Sequence, residues 1–369
     1  MKYYLISGEA SGDLHGSNLI KEIKKIDSSA SIRCWGGDKM EAAGATLVKH
    51  YKELAFMGFT EVIRNLPTIL KNLAFCKADI AAFKPGVVVL IDYPGFNLRM
   101  AAWLKENNYT VIYYISPQVW AWKENRVKGI KKTVDKMIVI LPFEKEFYKK
   151  WNFDVAYVGH PLVEVIDQYK IENPPAAGQA SNNIIAILPG SRKQEIEKKL
   201  PVMLSVMKHF PGYRFILAQA PGLEDEFYLS YLTTYPRVEI YQDKTYSLLA
   251  IARAALVTSG TATLETALFR VPEIICYKGN PVSYRIARWL IKIKFIGLVN
   301  LIMDKAVVKE LIQQDLTTEN LVKELKYILE DGPGRTKILK DYDDLYTLLS
   351  AGGKASEKAA EIVVAAARH

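Results

Sequence analysis

The sequence predicts an α/β protein with two doubly wound domains that face each other across a cleft, and three observations lead to this expectation. Short β-branched apolar runs alternate with helical stretches, as in parallel sheets covered by helices on both faces. The runs form two series on either side of a segment rich in Pro, Ala, Gly and Asn at 170–183. The length of 369 residues exceeds the size at which one hydrophobic core usually stops growing. We expect domains at 1–165 and 184–345, followed by a helical tail at 346–369.

Turn-forming residues separate apolar runs that have the length of parallel strands. In the first series the runs lie at 3–7, 87–91, 110–115, 136–141 and 155–159. In the second series they lie at 184–188, 214–218, 238–242, 254–259 and 273–277. Continuous runs of this kind are typical of strands buried on both faces. Ligands of doubly wound sheets bind at the carboxyl ends of the strands, so the loops after these runs should line the cleft.

The bulk composition is that of a globular enzyme, with 50% hydrophobic and 24% charged residues. No apolar run reaches the roughly 18 residues that a spanning helix needs. The apolar stretch before Gly8 is too short for a signal peptide. Cys34, Cys76 and Cys276 lie far apart without metal-ligand spacing, which favours reduced thiols in a cytosolic protein.

The charge indicates an anionic partner, because the net charge is +9 and the pI is near 9.1. Residues 121–150 hold nine Lys and Arg against four Asp and Glu, and residues 278–310 hold seven against two. A surface that touches nucleic acid, anionic lipid or a phosphorylated substrate is one interpretation of these patches. A solvated basic face is the other.

The best anion site follows the strand at 184–188, in "IIAILPGSRKQEI". Gly190 lets the backbone approach a ligand closely, and the helix start after it offers unpaired N–H groups and partial positive charge. Ser191 adds a hydroxyl, and Arg192 adds a bidentate donor for phosphate. In the alternative interpretation Ser191 is a plain N-cap and Arg192 a solvated side chain.

A second turn, in "ALVTSGTATLETAL", has the same strand–turn–helix pattern and supports a nucleotide diphosphate site. Glu265 lies in the first turns of the helix, where its carboxylate would accept from the two vicinal hydroxyls of a ribose, or reach back as in a capping box. Tyr277, which ends the next strand, either stacks on a base or packs internally. Neither turn matches the P-loop or the dinucleotide fingerprint. The candidate nucleotide residues here are Ser259, Gly260, Thr261, Ala262, Thr263, Glu265 and Tyr277.

The first glycine-rich turn, in "LISGEASGDLHGSNLI", is acidic and would repel a phosphate. Its glycines at 8, 12 and 16 follow a strand and open a helix, but Glu9 and Asp13 lie in the turn. Asp13 is as well explained as a cap of the following helix as by ligand contact. His15 is better explained as a structural histidine than as a ligand.

The motifs in their order resemble the lipid-A-disaccharide synthase family, which is a family of glycosyltransferases with the GT-B fold of two Rossmann-like domains. The matching segments are "SGEASGDLHG", "LAFMGFTEV", "IDYPGFN", "YYISPQVWAW", "LPFEKEFY", "VGHPL", "LPGSRKQEI" and "SGTATLE", which span 7–265, and "VVKELIQ" at 307–313 also fits. The resemblance implies a hexosyltransferase that joins UDP-2,3-diacylglucosamine to 2,3-diacylglucosamine 1-phosphate with inversion. The products would be a β-1′,6-linked disaccharide 1-phosphate and UDP. It implies no metal and no other cofactor, with helix dipoles and Arg192 stabilising the departing diphosphate.

The resemblance also assigns roles to residues of the first half. Asp92, directly after the strand at 87–91, matches the aspartate regarded as catalytic, and burial there should raise its pKa. The alternative is an Asp that starts the turn before Pro94. Glu9 would accept from sugar hydroxyls, with Gly8 and Ser11 beside it on the substrate. Some members carry a second Asp where this chain has Gly95, so a scheme with two carboxylates is not supported.

One further residue resembles a functional position of the family in the second half. Asn300 in "GLVNLIMD" matches a functional asparagine, although Val299 replaces the usual proline before it.

Both implied substrates carry acyl chains, so the enzyme should dock on an anionic membrane surface from the cytoplasmic side. The stretch at 54–75 is apolar nearly all round, and the stretch at 283–297 places basic residues beside Trp289 and Phe295. Core packing is the alternative for both. The resemblance implies no nucleic-acid partner, and it allows for a homodimer.

Other functions fit parts of the pattern. One is another enzyme of the same fold, such as a UDP-sugar epimerase or the lipid II glycosyltransferase. Another is a lipid-binding protein without activity, which Asp92, Arg192 and Glu265 together argue against.

Overall fold

A computed structural model describes residues 1–54, 66–174, 183–220, 223, 225–242, 244–280, 284 and 294–368. Contacts divide the chain into two compact units. The first unit comprises Met1–Pro161 and Leu349–His369, and the second comprises Leu162–Leu348. Each unit contains one parallel sheet with helices, so the predicted α/β class with two domains is confirmed.

The first unit is a regular alternation of strands and helices. It contains β1 (Lys2–Ile6), α1 (Ala10–Ile26), β2 (Ser31–Gly36), α2 (Asp38–Ala42), β3 (Thr46–His50), α3 (Leu66–Phe83), β4 (Val87–Ile91), α4 (Pro94–Glu106), β5 (Thr110–Tyr114), α5 (Val119–Trp122), α6 (Val127–Thr133), β6 (Lys136–Val139), α7 (Glu144–Lys149) and β7 (Ala156–Tyr157).

The second unit follows the same plan, and the chain then returns to the first unit. It contains α8 (Pro161–Glu172), β8 (Ile184–Leu188), α9 (Lys193–Ser205), β9 (Arg214–Ala218), α10 (Asp225–Thr234), β10 (Val238–Tyr241), α11 (Thr245–Ile251), β11 (Ala254–Thr258), α12 (Thr261–Leu268), β12 (Glu273–Tyr277), α13 (Leu298–Met303), β13 (Lys309–Ile312), α14 (Thr318–Leu329) and α15 (Pro333–Ser350), before α16 (Ala355–Ala367).

The first sheet has the strand order β3-β2-β1-β4-β5-β6-β7, and every described pairing is parallel. All five residues of β4 are buried, as its continuous apolar run predicts. The order reverses between β1 and β4, and such switch points are where ligands bind in open α/β sheets. The loops after β1 and β4 carry "SGEASGD" and "DYPGFN", so the sheet brings these two motifs together.

The second sheet has the order β10-β9-β8-β11-β12-β13, with its switch point between β8 and β11. The two turns that we predicted to bind phosphate follow these two strands. Strands β2, β3 and β13 were missed by the sequence reasoning. The exposed or half-buried residues at the edges of β2, β3 and β13 interrupt the apolar pattern that identified the other strands.

The C-terminal helix α16 packs on α1 of the first unit. Before it, Gly352 lies against the backbone of Val158 and Gly159, with no room for a Cβ atom. The His160 N–H donates to the Leu349 carbonyl at 3.0 Å. The tail is therefore part of the N-terminal fold.

The segment between the two series of strands is shorter than its composition indicates. The segment at 170–183 is partly helical, because α8 continues to Glu172; residues 175–182 lie outside the described part of the chain.

The stretches expected at a membrane are described only in part. Residues 55–65 and 285–293 lie outside the described residues. In α3, Leu70 and Phe75 are exposed by 57% and 49%, while Leu73 faces the core. No helix of the described chain has the length and apolar character needed to cross a bilayer.

Candidate functional site

The first pair of candidate residues lies at the switch point of the first sheet. Glu9 is the N-cap residue of α1 and is exposed. Asp92 follows β4, which pairs with β1 in parallel register. The two carboxylates are close enough for the charge of Glu9 to raise the pKa of Asp92. The two loops therefore form one acidic site.

The backbone of Asp92 is held in an unusual conformation. Asp92 and Tyr93 both have positive φ angles, of 45° and 49°, which is strained for residues with side chains. Asn97 Nδ2 donates to the Asp92 carbonyl at 2.8 Å and lies 3.3 Å from the carbonyl of Ile6, at the end of β1. The Tyr113 hydroxyl donates to the same Asp92 carbonyl at 2.6 Å. Asn97 thus joins the two strand ends, and together with Tyr113 it holds the backbone of Asp92 in place.

The environment of Asp92 suits a general base. Burial and then the charge of Glu9 raise its pKa to about 6, while the Tyr93 N–H acts in the opposite direction. A base with a pKa near the working pH is ionised before reaction and still accepts a proton effectively. The alternative role of Asp92, starting the turn before Pro94, also fits the structure, because Asp92 directly precedes Tyr93, the N-cap residue of α4.

The predicted substrate residues Gly8 and Ser11 have different surroundings. A Cβ on Gly8 would overlap the ring of Tyr93, so this glycine is required for the β1 loop to pack against the β4 loop. Ser11 is exposed in the first turn of α1. Of these two residues, Ser11 is the one that presents a side chain to solvent.

Asp13 caps a helix, but not the helix that its position in sequence indicates. It lies within α1 and accepts from the backbone N–H groups of Gly37 at 2.8 Å, Lys39 at 3.2 Å and Met40 at 3.0 Å. These groups form the start of α2, so Asp13 joins α1 to α2. His15 is buried, which lowers its pKa to about 4, and it is therefore neutral at pH 7. Both residues are structural.

In the second unit the turn after β8 has the features of an anion site. Gly190 has φ of +110°, a conformation that favours glycine. Ser191 and Arg192 are exposed, and the N-cap of α9 is Arg192 and not Ser191. No side chain caps this helix start within the described residues, so side chains leave its first N–H groups available to a ligand. Arg192 Nη1 lies 3.3 Å from Glu195 Oε1.

A buried lysine, which the sequence reasoning missed, joins the two turns of the second unit. Lys199 is 1% exposed, and its ammonium donates to Thr258 Oγ1 and lies 3.4 Å from Glu195 Oε2. A Cβ on Gly190 would lie 3.6 Å from Lys199 Nζ. The cation therefore lies beneath the turn of Gly190 and against the end of β11. Its spacing of i+4 from Glu195 was the available signal.

The turn after β11 is the second predicted phosphate loop. Gly260 has φ of +144° and is the N-cap of α12, with open space where a Cβ would lie. Thr261 is exposed and Ala262 is half-buried, whereas Thr263 is buried and donates to the Gly260 carbonyl at 2.8 Å. Ser259 Oγ donates to the Ile296 carbonyl at 2.8 Å. The two threonines therefore differ, and only Thr261 presents its hydroxyl to solvent.

Glu265 and Tyr277 lie beside these turns. Glu265 accepts from the Tyr246 hydroxyl at 3.0 Å, and burial raises its pKa. This contact differs from a capping box, in which the carboxylate reaches back to the N-cap. Tyr277 is half-buried at the end of β12, with its ring centroid 6.2 Å from that of Tyr284. The stacking role of Tyr277 stays a prediction.

The side-chain amide of Asn300 is hydrogen-bonded on both its nitrogen and its oxygen within the second unit. Its Nδ2 donates to the Val308 carbonyl at 2.9 Å and to Glu310 Oε1 at 3.0 Å, and its Oδ1 accepts from the N–H groups of Val307 and Val308, both at 2.9 Å. Glu310 in turn accepts from the N–H of Ile296 at 3.1 Å, the residue that Ser259 contacts. Asn300 thus holds the segment against which the Ser259 turn rests. Its contact with substrate stays a prediction.

A buried carboxylate connects two further motifs, "SPQVWAW" and "LPFEKEFY". Glu144 is 1% exposed and accepts from Trp120 Nε1 at 3.2 Å and from the Leu141 N–H at 2.9 Å. Burial raises its pKa to about 7. Ser116 and Tyr148 share a hydrogen bond of 2.6 Å beside it. These contacts join the loop after β5 to the segment after β6.

Comparison with known proteins decides the family. The model of the lipid-A-disaccharide synthetase family matches residues 3–366. The chain belongs to this family. It is 38% identical over 368 residues to the lipid-A-disaccharide synthase of Geobacter metallireducens, covering 98% of this chain and 96% of that protein. It is 39% identical over 365 residues to that of Syntrophus aciditrophicus, covering 96% and 95%. The resemblance stated from the motifs is confirmed, and the chain is a glycosyltransferase of lipid A biosynthesis.

Solved structures with the same fold include both epimerases and glycosyltransferases. UDP-GlcNAc 2-epimerase from Neisseria meningitidis, bound to UDP-GlcNAc, has a TM-score of 0.68 at 11% identity, covering 99% of both chains. The calicheamicin glycosyltransferase CalG4 has a TM-score of 0.61 at 15% identity, covering 99% of this chain and 97% of that chain. These likenesses support the GT-B fold of this lipid-A-disaccharide synthetase family member. The fold alone does not separate the two activities.

Proposed function

We propose that this protein joins UDP-2,3-diacylglucosamine to 2,3-diacylglucosamine 1-phosphate with inversion, giving lipid A disaccharide 1-phosphate and UDP. The family membership supports the product class. The observation that carries the mechanism is Asp92, a carboxylate with a raised pKa whose backbone is fixed at a switch point.

In the proposed step Asp92 accepts the proton of the 6-hydroxyl of the acceptor sugar. The hydroxyl oxygen forms a bond to C1 of the donor sugar from the face opposite the diphosphate. The bond between C1 and the diphosphate oxygen breaks at the same time, and its electron pair leaves with UDP. One displacement of this kind inverts the configuration at C1. Glu9 accepts from sugar hydroxyls and keeps the pKa of Asp92 high.

The second unit would bind the nucleotide and neutralise the leaving diphosphate. The starts of α9 and α12 follow adjacent strands, so their N–H groups and partial positive charges act on one anion. Arg192 exchanges its exposed partner Glu195 for a phosphate oxygen. Glu265 accepts from the ribose hydroxyls in competition with Tyr246. The proposal assigns no step to a metal ion.

We also propose that the protein works at the cytoplasmic face of a membrane. The exposed Leu70 and Phe75 on α3, and Trp122 with an exposure of 47%, support an interfacial position. This position would let acylated substrates reach the site without leaving the bilayer fully.

The deciding experiment supplies purified protein with both substrates and measures disaccharide and UDP. Asp92→Asn should lower kcat by about 10²-fold or more while the Kd for UDP changes little. Asp154→Asn, the same change at an exposed position of the same unit, is the matched control. A normal rate for Asp92→Asn would show that another group is the base. Conversion of the UDP-sugar to an epimer without disaccharide would reject the synthase reaction.

A further inference from the structure

A groove of about 510 Å³ lies between α4 and α6 of the first unit and has no role in the scheme above. One end is formed by Pro94 and Gly95, which lie two and three residues after Asp92 in the chain. It continues along α4 to Ala102, a distance of about 12 Å along the helix axis. The groove therefore starts at the end of α4 that follows the candidate base, and it runs along that helix.

The lining combines an apolar floor with basic walls. Leu98, Ala102 and Ile130 supply apolar surface, and Arg99 and Arg126 supply positive charge. None of the described residues that line the groove is acidic. A ligand that fits this chemistry has an anionic group and a hydrocarbon chain.

The rim near Arg126 has the same mixed character. Trp122 is exposed, and the Lys123 ammonium lies 4.4 Å from its ring centroid, with the Arg126 guanidinium at 5.5 Å. An exposed tryptophan covered by cations suits the boundary between water and hydrocarbon.

Gly129 keeps the groove open. It lies inside α6 without a positive φ, where glycine stabilises a helix less than alanine does. A Cβ on Gly129 would meet no heavy atom within 4 Å, because the space beside it is the groove. The backbone thus does not require glycine here, and the groove is what a larger side chain would fill.

We propose that this groove binds an acyl chain of the phosphorylated acyl-sugar acceptor, and that Arg99 and Arg126 bind its phosphate. The proposal rests on the proposed function for the identity of the acceptor. The acceptor fits this groove better than a membrane phospholipid does, because one end of the groove lies at the start of α4, two residues after Asp92, and the reacting hydroxyl must lie near Asp92.

Two variants test the proposal: one fills the groove, and the other removes part of its positive charge. Gly129→Phe should raise the KM for the acceptor by about tenfold or more, the effect of displacing about two buried methylenes, and leave the KM for the UDP-sugar unchanged. Arg126→Gln, at an exposed side chain, should reduce the preference for phosphorylated over phosphate-free acceptor by about tenfold. Gly212→Phe adds the same bulk at an exposed turn of the second unit and should change neither KM.

Direct binding of the acyl-glucosamine 1-phosphate, measured by the fluorescence of the protein without turnover, separates this proposal from the proposed function. If wild-type protein makes no disaccharide but Gly129→Phe weakens this binding, the proposed function fails and the groove assignment stands. An unchanged acceptor KM and unchanged binding in Gly129→Phe, with an intact thermal unfolding transition, would overturn the proposal. So would loss of binding to vesicles of anionic phospholipid with no change in acceptor KM, because the groove would then dock on the membrane.

Discussion

Replacing Glu9 by glutamine should lower the pKa of Asp92 and leave the Asp92 carboxylate in place. The pKa of Asp92 is raised from 3.8 to about 6, and burial is the larger cause. The charge of Glu9 is the second cause, so it supplies the smaller part of this rise. We therefore expect Glu9→Gln to move the pKa down by about 0.5 to 1 unit.

The pKa is measured in the free protein by ¹³C NMR of the Asp92 carboxyl carbon, which Asp92→Asn assigns. The same shift should appear in the pH dependence of kcat/KM. Because the base must be ionised, the rate falls as the pH decreases through the pKa of Asp92. The acid limb of wild type should thus lie near 6, and that of Glu9→Gln should lie at lower pH.

Glu22→Gln is the matched control, because it removes the same charge from the same helix. Glu22 lies 13 positions further along α1, about 20 Å from Glu9, which is beyond the screening length at physiological salt. Its effect on the Asp92 pKa should be below detection. A pKa that stays at its wild-type value in Glu9→Gln would refute the electrostatic coupling of the two loops.

Three further predictions concern other parts of the molecule. Arg192→Ala should weaken UDP binding by about tenfold or more and reduce its salt dependence, as measured by calorimetry at two salt concentrations. Burial raises the pKa of Glu144 from 4.5 to about 7, so its contribution to stability is present below pH 4.5 and is lost as the pH rises through 7. Urea unfolding of the wild type should therefore show a loss on the order of 3 kcal/mol over this pH range, and Glu144→Gln should not show it. Gly352→Ala should destabilise the first unit by about 1–3 kcal/mol, since its Cβ would overlap the Gly159 backbone, whereas Gly212→Ala, in open space, should change stability by less than about 0.5 kcal/mol. Equal melting temperatures for the two glycine variants would contradict the close packing of the tail.

The acidic turn shows where sequence reasoning was sufficient and where it was not. The pattern of strand, glycine and helix located Glu9, and the apolar run at 87–91 located Asp92. Their proximity follows only from the pairing of β1 with β4, since 83 positions separate them in the chain. Asp13 was expected near ligand or as a cap of its own helix, and the fold uses it to cap α2.

Across the rest of the protein, too, some features follow from local sequence patterns and others only from the tertiary structure. Local patterns determined the buried strands, the glycine turns and the family, because hydrophobic periodicity and turn chemistry act over a few neighbouring residues. The tertiary structure decided what Lys199, Glu144 and Asn300 do, because a buried polar group must find its hydrogen-bond partners wherever the fold places them. It also decided that α16 belongs to the first unit, since the contact between Gly352 and Gly159 depends on backbone shape and leaves no trace in composition.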